Sequence, residues 1–122
     1  MEYNKNLFSS FGFAIEGVMH ALKTNRNLRI HFLAAFLVII ASIYFGVNPF
    51  EMGILGVMIL LVISAEMVNT AIEEMVNLIT TEHRREAKLA KDVSAGMVLI
   101  TVIGSVIVGI LIFGPYVLRL LG

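Results

Sequence analysis

Three long apolar runs divide the chain: about Ile30 to Phe45, Phe50 to Ala65 and Val93 to Leu118. Each can cross a hydrocarbon core of ~30 Å as a helix, the first two only marginally, with flanking polar residues reaching the interfaces. Buried helices of a soluble protein would also be apolar, but three such runs leave too few polar residues to cover a core. Between Asn6 and Leu22 the pattern changes. Leu7, Phe8, Phe11, Ile15, Val18, Met19 and Leu22 recur at helical spacing, broken by Ser9, Ser10, Glu16, His20 and Lys23. That pattern predicts an amphipathic surface helix over about 6–24, lying along the inner leaflet. Ordinary packing on the other helices explains the same spacing, and the two are compatible. The expected fold is an all-α membrane protein of one domain, 1–122, with spans at about 30–46, 49–66 continuing to about 79, and 93–118.

The short loop GVNPFE, residues 46–51, sets the start of the second span. Asn48 is a good N-cap, Pro49 suits the first helical position, and Glu51 sits where a capping-box acid belongs. A helix starting there carries Glu66 ~24 Å along its axis, to the inner edge of the hydrocarbon, and Glu73 ~10.5 Å further. Lys5, Lys23, Arg26 and Arg29 precede the first span, and Arg84, Arg85, Lys88 and Lys91 lie between the second and third. The 46–51 loop has no Lys or Arg. Positive loops stay in the cytoplasm, so the N-terminus and residues 80–92 are expected inside and the 46–51 loop outside. Arg119 is a lone exception near the outer end. Gly53 and Gly56 on the second span, and Ser105 and Gly109 on the third, predict close helix contacts. Three spans make a thin bundle, which favours an oligomer.

Composition agrees and excludes several classes. Of 122 residues, 58% are hydrophobic and 15% charged, with zero formal net charge. Mean hydropathy is +0.90. Nucleic acid is not an expected partner, since no global positive field would attract it. With no cysteine, disulfide and thiolate chemistry are excluded. The first residues lack the apolar centre and cleavage site of a signal peptide, so insertion is expected to rest on internal segments.

The run EMVNTAIEE, residues 66–74, follows directly on the second apolar stretch. Helical periodicity puts Glu66, Asn69, Glu73 and Asn77 on one stripe. Carboxylates at the end of a membrane helix are costly unless something uses them. Glu66 sits at a depth that suits a general base for a hydroxyl anchored in lipid. A carboxyl bonded to a neighbouring helix is the structural alternative, and Asn69 and Glu73 on the same face favour chemistry. Glu73 is too far along a straight helix to share one ion with Glu66. It can hold a hard cation whose shell is completed by water and phosphate oxygens, as Mg²⁺ prefers. Glu74 points elsewhere, toward solvent or a neighbour. Asn69 can orient Glu66 or a phosphate, and Asn77 can cap the polar face. Arg84, Arg85, Lys88 and Lys91 can clamp a polyphosphate, although positive residues belong in an inside loop regardless. Glu82 and His83 are adjacent and can contact a nucleotide. His20 is expected at the interface, and His31, one turn after Asn27, is placed to bond to it.

There is no P-loop, no HRD or DFG element and no GxSxG elbow, so a phosphate-transferring site here would be a non-standard one. No HExxH or similar spacing implies zinc. EMVNTAIEE followed by TEHRREAKLAKDVSAG resembles the signature of the small prokaryotic integral-membrane lipid kinases, the diacylglycerol and undecaprenol kinases. NRNLRIH, residues 25–31, is similar to the segment before their first span. The resemblance covers about residues 8–112 without a gap. It implies a homotrimer in the cell membrane of a prokaryote, multi-pass, with the N-terminus cytoplasmic. It also implies ATP-dependent phosphorylation of a lipid alcohol with Mg²⁺. By position, Glu66 would be the catalytic base supported by Asn69, and Glu73 a metal ligand. Glu82, His83, Lys91 and Asp92 fall at nucleotide-contacting positions. Phe13 and Asn6 do too, with changed residue types. Glu66, Ser10 and Arg29 fall at substrate positions.

Two departures matter. Asn25 stands where the family usually has a second metal-binding Glu, and an Asn carbonyl ligates a hard cation without bringing charge. Residues 84–86 also differ from the common pattern. The likeness is closer to the undecaprenol branch than to the enterobacterial diacylglycerol branch, while the apolar lining itself does not separate the two lipids. A non-enzymatic membrane scaffold would explain the spans but leave the Glu66, Asn69, Glu73 stripe without a purpose.

Overall fold

A computed structural model of the chain describes residues 6–122. Lys5, counted above among the positive residues, lies outside them. Among the described residues there are four helices: α1 (Leu7–Thr24), α2 (Arg26–Phe45), α3 (Pro49–Ile79) and α4 (Arg85–Leu121). The last three are each long and apolar enough to cross a membrane. At ~1.5 Å per residue, α3 and α4 outrun a ~30 Å hydrocarbon layer and extend beyond it. The third span was expected from about 93. The helix that carries it starts two turns earlier, so the linker between α3 and α4 shrinks to residues 80–84.

The turns follow from local chemistry. Gly46 closes α2 in the left-handed conformation at φ 63°, and its N–H reaches the carbonyls of Ser42 and Ile43. Asn48 and Glu51 then form the expected capping box, with Pro49 in the first turn of α3. Between α1 and α2 the chain breaks only at Asn25. Its backbone N–H bonds the carbonyl of Ala21 at 2.8 Å, ending α1. Its Oδ1 accepts from the N–H of Leu28 at 3.2 Å, starting α2. Arg29 reinforces that corner by donating to the carbonyls of Leu22 and Lys23 at 2.7 and 3.0 Å.

Packing concentrates at the two ends. Near the 46–48 loop, Val47, Leu55 and Ile112 form a buried cluster lined by Val38, Phe45, Phe113 and Tyr116. The other end buries polar groups instead: Glu66, Asn69, Thr70 and Ser94. Between them, α3 and α4 pack most closely and α2 leans on α3. A Cβ added at Gly104 would meet Met58 Cε at 3.5 Å, an ordinary van der Waals contact. An added Cβ at Gly53, Gly56 or Gly109 would meet nothing within 4 Å. The predicted small-residue contacts on those three are therefore not made within one chain.

The chain exposes 9165 Å². A compact soluble protein of this mass would expose about 6,500 Å². Most apolar side chains on the outside of α2–α4 are uncovered, among them Phe36, Ile40, Leu60, Ile100 and Ile110. This is a surface for lipid or for other subunits rather than for water.

Candidate functional site

Asn25 joins three elements at once. While its oxygen caps α2, its Nδ2 donates across to α3, to Glu66 Oε2 at 3.0 Å and Thr70 Oγ1 at 2.7 Å. Thr70 in turn donates to the Glu66 carbonyl, one helical turn back, at 3.0 Å. The other carboxylate oxygen, Glu66 Oε1, faces His31 Nε2 of α2 at 3.3 Å. Glu66 is only 2% exposed, yet both its oxygens meet polar groups. Among the described residues no buried side-chain nitrogen or oxygen lacks a partner, as the cost of stranding such a group demands.

One turn further, Asn69 Nδ2 donates to Glu73 Oε1 at 3.3 Å. The Ser94 hydroxyl of α4 lies 2.6 Å from Asn69 Oδ1 and 2.9 Å from the Lys91 carbonyl. The Glu73 carboxylate only accepts, so it takes the NH2 end of the Asn69 amide and leaves Oδ1 to the Ser94 hydroxyl. Lys91 Nζ crosses back to α3 and donates to Asn77 Oδ1 at 2.7 Å. The stripe expected from helical periodicity thus carries two hydrogen-bonded sets: Glu66 with Asn25, Thr70 and His31, and Glu73 with Asn69, Ser94, Lys91 and Asn77.

Two clefts open on these sets. One of about 240 Å³ is lined by Thr24, Asn25, Arg26, Asn27, Thr70, Glu73, Glu74 and Asn77. A second of about 470 Å³ is lined by Glu82, His83, Arg84, Arg85, Ala87, Lys88, Lys91 and Asp92. The Lys91–Asn77 contact joins a wall of the one to a wall of the other. Within the second cleft Glu82 pairs with Arg84 at 3.1 Å and Asp92 with Lys88 at 2.6 Å. A third space, an apolar groove of about 410 Å³ between α2, α3 and α4, runs from Ile30 and His31 past Val62 and Met58 to Phe113. Among the described residues, His31 and Ser105 are its only polar lining side chains.

The remaining sequence candidates sit apart from these contacts. Ser10 lies early in α1 and donates to the Asn6 carbonyl at 3.3 Å, while Asn6 caps α1 through the N–H of Phe8 at 2.8 Å. Phe13 is 44% exposed on α1, about two turns before Ala21. The guanidinium of Arg29 holds the α1–α2 corner. Glu74, expected to face solvent or a neighbour, meets His20 of α1 at 2.5 Å. His31 was expected on Asn27 and faces Glu66 instead, because α2 turns its first turn and a half toward α3. Sequence reasoning also missed Thr70 and Ser94. Thr70 was findable, being four residues after Glu66 on the same face; Ser94 depends on how α4 packs.

Residues 12–113 match the prokaryotic diacylglycerol kinase family. The chain belongs to that family. It is 40% identical over 108 residues to an undecaprenol kinase of Bacillus subtilis, covering 88% of each chain. It is 38% identical over 117 residues to a diacylglycerol kinase of a Synechocystis species, covering 95% of this chain and 67% of that one. A diacylglycerol kinase of Helicobacter pylori is 32% identical over 117 residues. The chain is therefore a membrane lipid kinase that draws on ATP, and the scaffold alternative falls away.

Proposed function

We propose that the chain transfers the γ-phosphoryl group of ATP to the hydroxyl of undecaprenol, with Glu66 as the base. The observation that carries this reading is Glu66 itself: a carboxylate 2% exposed, supported on both oxygens, beside His31 at the head of an apolar groove. A lipid chain suits the groove, and its terminal hydroxyl would then lie next to the carboxylate. Asn69 and Thr70 keep the α3 stripe in register, and Ser10 and Arg29 are assigned to the substrate side only by position in the family. The 40% identity to an undecaprenol kinase supports the polyprenol. Diacylglycerol is the second reading, supported by the 38% identity to a diacylglycerol kinase.

ATP is proposed to bind across the two polar clefts, with Lys91, Glu82, His83 and Asp92 toward the nucleotide and Phe13 approaching from α1. The site is compatible with Mg²⁺. Among the described residues no three acidic or histidine side chains converge. Glu73 with the carboxamides of Asn25 and Asn77 on one cleft wall leaves room for water and phosphate oxygens, the ligands Mg²⁺ keeps. Glu73 would hold the ion, with the Asn25 carbonyl adding its second lone pair. A bound Mg²⁺ would neutralise charge on the β- and γ-phosphates.

The chain's own residues do the rest. Glu66 takes the hydroxyl proton as the lipid oxygen bonds to the γ-phosphorus and the bond to the ADP oxygen breaks. Lys91 offsets phosphate charge. Glu66 then returns its proton to water. Alignment and charge neutralisation suffice for such a transfer.

The apolar residues exposed on α1, with Phe8 at 86% and Phe11 at 62%, support a surface helix on the inner leaflet. The Lys and Arg distribution supports a cytoplasmic N-terminus. The uncovered faces of α2–α4 support a homotrimer. The test is phosphorylation by the purified protein in mixed micelles, with undecaprenol and diacylglycerol offered separately. Wild type is expected to prefer undecaprenol, and Glu66→Gln to lose turnover while still binding ATP. Wild-type turnover by Glu66→Gln would remove the base assignment.

A further inference from the structure

We infer that His31 is a positioning residue for Glu66, holding the carboxylate toward the side from which the lipid arrives. This rests on Glu66 being the base. The two oxygens of Glu66 are met by different environments. Oε2 receives the Asn25 amide, which lines the polar cleft. Oε1 faces His31 Nε2 at 3.3 Å, and His31 lines the apolar groove. The carboxylate therefore lies between the polar cleft and the apolar groove, with the α2 N-cap amide on one side and the His31 imidazole on the other. A single polar contact leaves a carboxylate free to turn about it; a second contact on the other oxygen restricts its plane.

His31 suits this position. Its side chain is 21% exposed, against 2% for Glu66, so it forms the boundary between the groove and the buried acid. Its contact is longer than an ordinary hydrogen bond of about 2.9–3.0 Å. Each carboxylate oxygen has a second lone pair, so Oε1 can accept from the imidazole and from an alcohol in the groove. Leu28, fully buried three residues earlier on α2, anchors the turn that presents His31.

Misplacing a reacting group by ~1 Å costs on the order of 10²-fold in rate. His31→Leu is therefore expected to lower kcat by ~10- to 100-fold, with the KM values for ATP and lipid unchanged within about twofold. His31→Gln places an amide N–H near Nε2 and is expected to restore most of kcat. His31→Phe fills the same space without a donor and is expected to remain slow. Thermal unfolding in detergent is followed alongside, with Glu66→Gln measured in parallel. A merely structural histidine would be rescued by Phe rather than Gln, and kcat would follow stability; that result overturns the inference. So does an unchanged kcat in His31→Leu while Glu66→Gln is inactive. Full activity in Glu66→Gln would instead strike at the base assignment beneath it.

Discussion

Asn25→Asp exchanges one NH2 group for an oxygen at the centre of the polar cluster and changes nothing else in size. Asp caps a helix as well as Asn, so the start of α2 survives. What disappears is the donor to Glu66 Oε2 at 3.0 Å and to Thr70 Oγ1 at 2.7 Å. A hydrogen bond to a charged group is worth about 1.5–3 kcal/mol. Two carboxylates ~3 Å apart also repel by about 5 kcal/mol at an effective dielectric of 20, before rotation or proton uptake relieves them. Once rotation or proton uptake has relieved the repulsion, a net destabilisation of about 3 kcal/mol is left, the upper end of the cost of losing a hydrogen bond to a charged group. That corresponds to a fall on the order of 10 °C in the unfolding temperature. If Glu66 is the proposed base, turnover should fall about 100-fold, because the carboxylate loses its fixed donor and gains a competing anion. The assay is thermal unfolding in detergent together with phosphorylation in mixed micelles across a Mg²⁺ titration. The resemblance expects an acid at this position as a metal ligand. If metal charge were the limiting need, Asn25→Asp would bind Mg²⁺ more tightly and turn over at least as fast as wild type. That result would refute the view that Asn25 chiefly supports Glu66.

Other substitutions probe the rest of the set. Ser94→Ala leaves the buried Asn69 Oδ1 without that donor, costing about 1–3 kcal/mol of stability, and should slow turnover about tenfold by freeing the amide that faces Glu73; thermal unfolding and initial rates check both. Glu73→Gln should raise the Mg²⁺ concentration for half-maximal rate by at least about tenfold, since a neutral amide brings no charge to a hard cation; a Mg²⁺ titration of initial rates measures it. His20→Ala should do little. Its partner Glu74 and His20 itself are both more than half exposed, and such pairs contribute at most about 1 kcal/mol, so rate and unfolding temperature should stay close to wild type.

The legible parts of this molecule were those set by periodicity along one chain. Spans, caps and the α3 stripe all follow from spacing: Asn48, Pro49 and Glu51 fix where α3 begins, and the helix rise then fixes the depth of Glu66. The site's cross-links did not follow from spacing. His31 and Ser94 come from helices whose rotation about their own axes is set by packing, and an apolar run that is hydrophobic all round carries no mark of which side faces its neighbour. Hence His31 could be assigned to Asn27, on its own helix, when it faces Glu66 on another. The glycines are silent about their partners for the same reason. Gly53, Gly56 and Gly109 permit close approach without saying to what, and within one chain the contact falls at Gly104.

Asn25 shows how a departure from a family pattern can be reconciled with retained activity. A carboxamide carries both an acceptor and a donor. Here the acceptor starts α2 and the donor steadies Glu66, two tasks on opposite sides of one small group. An acid could do the first and not the second. On the proposed reading, a neutral residue 25 supports the Glu66 carboxylate where the resemblance implies a metal-binding charge. The charge balance of the cleft then rests on Glu73, with Glu74 beside it held by His20. A chain arranged this way should depend on a single carboxylate for its metal, so the Glu73 titration tests that reading as well as the ligand. A Mg²⁺ dependence that Glu73→Gln leaves unmoved would mean that Glu73 does not hold the metal.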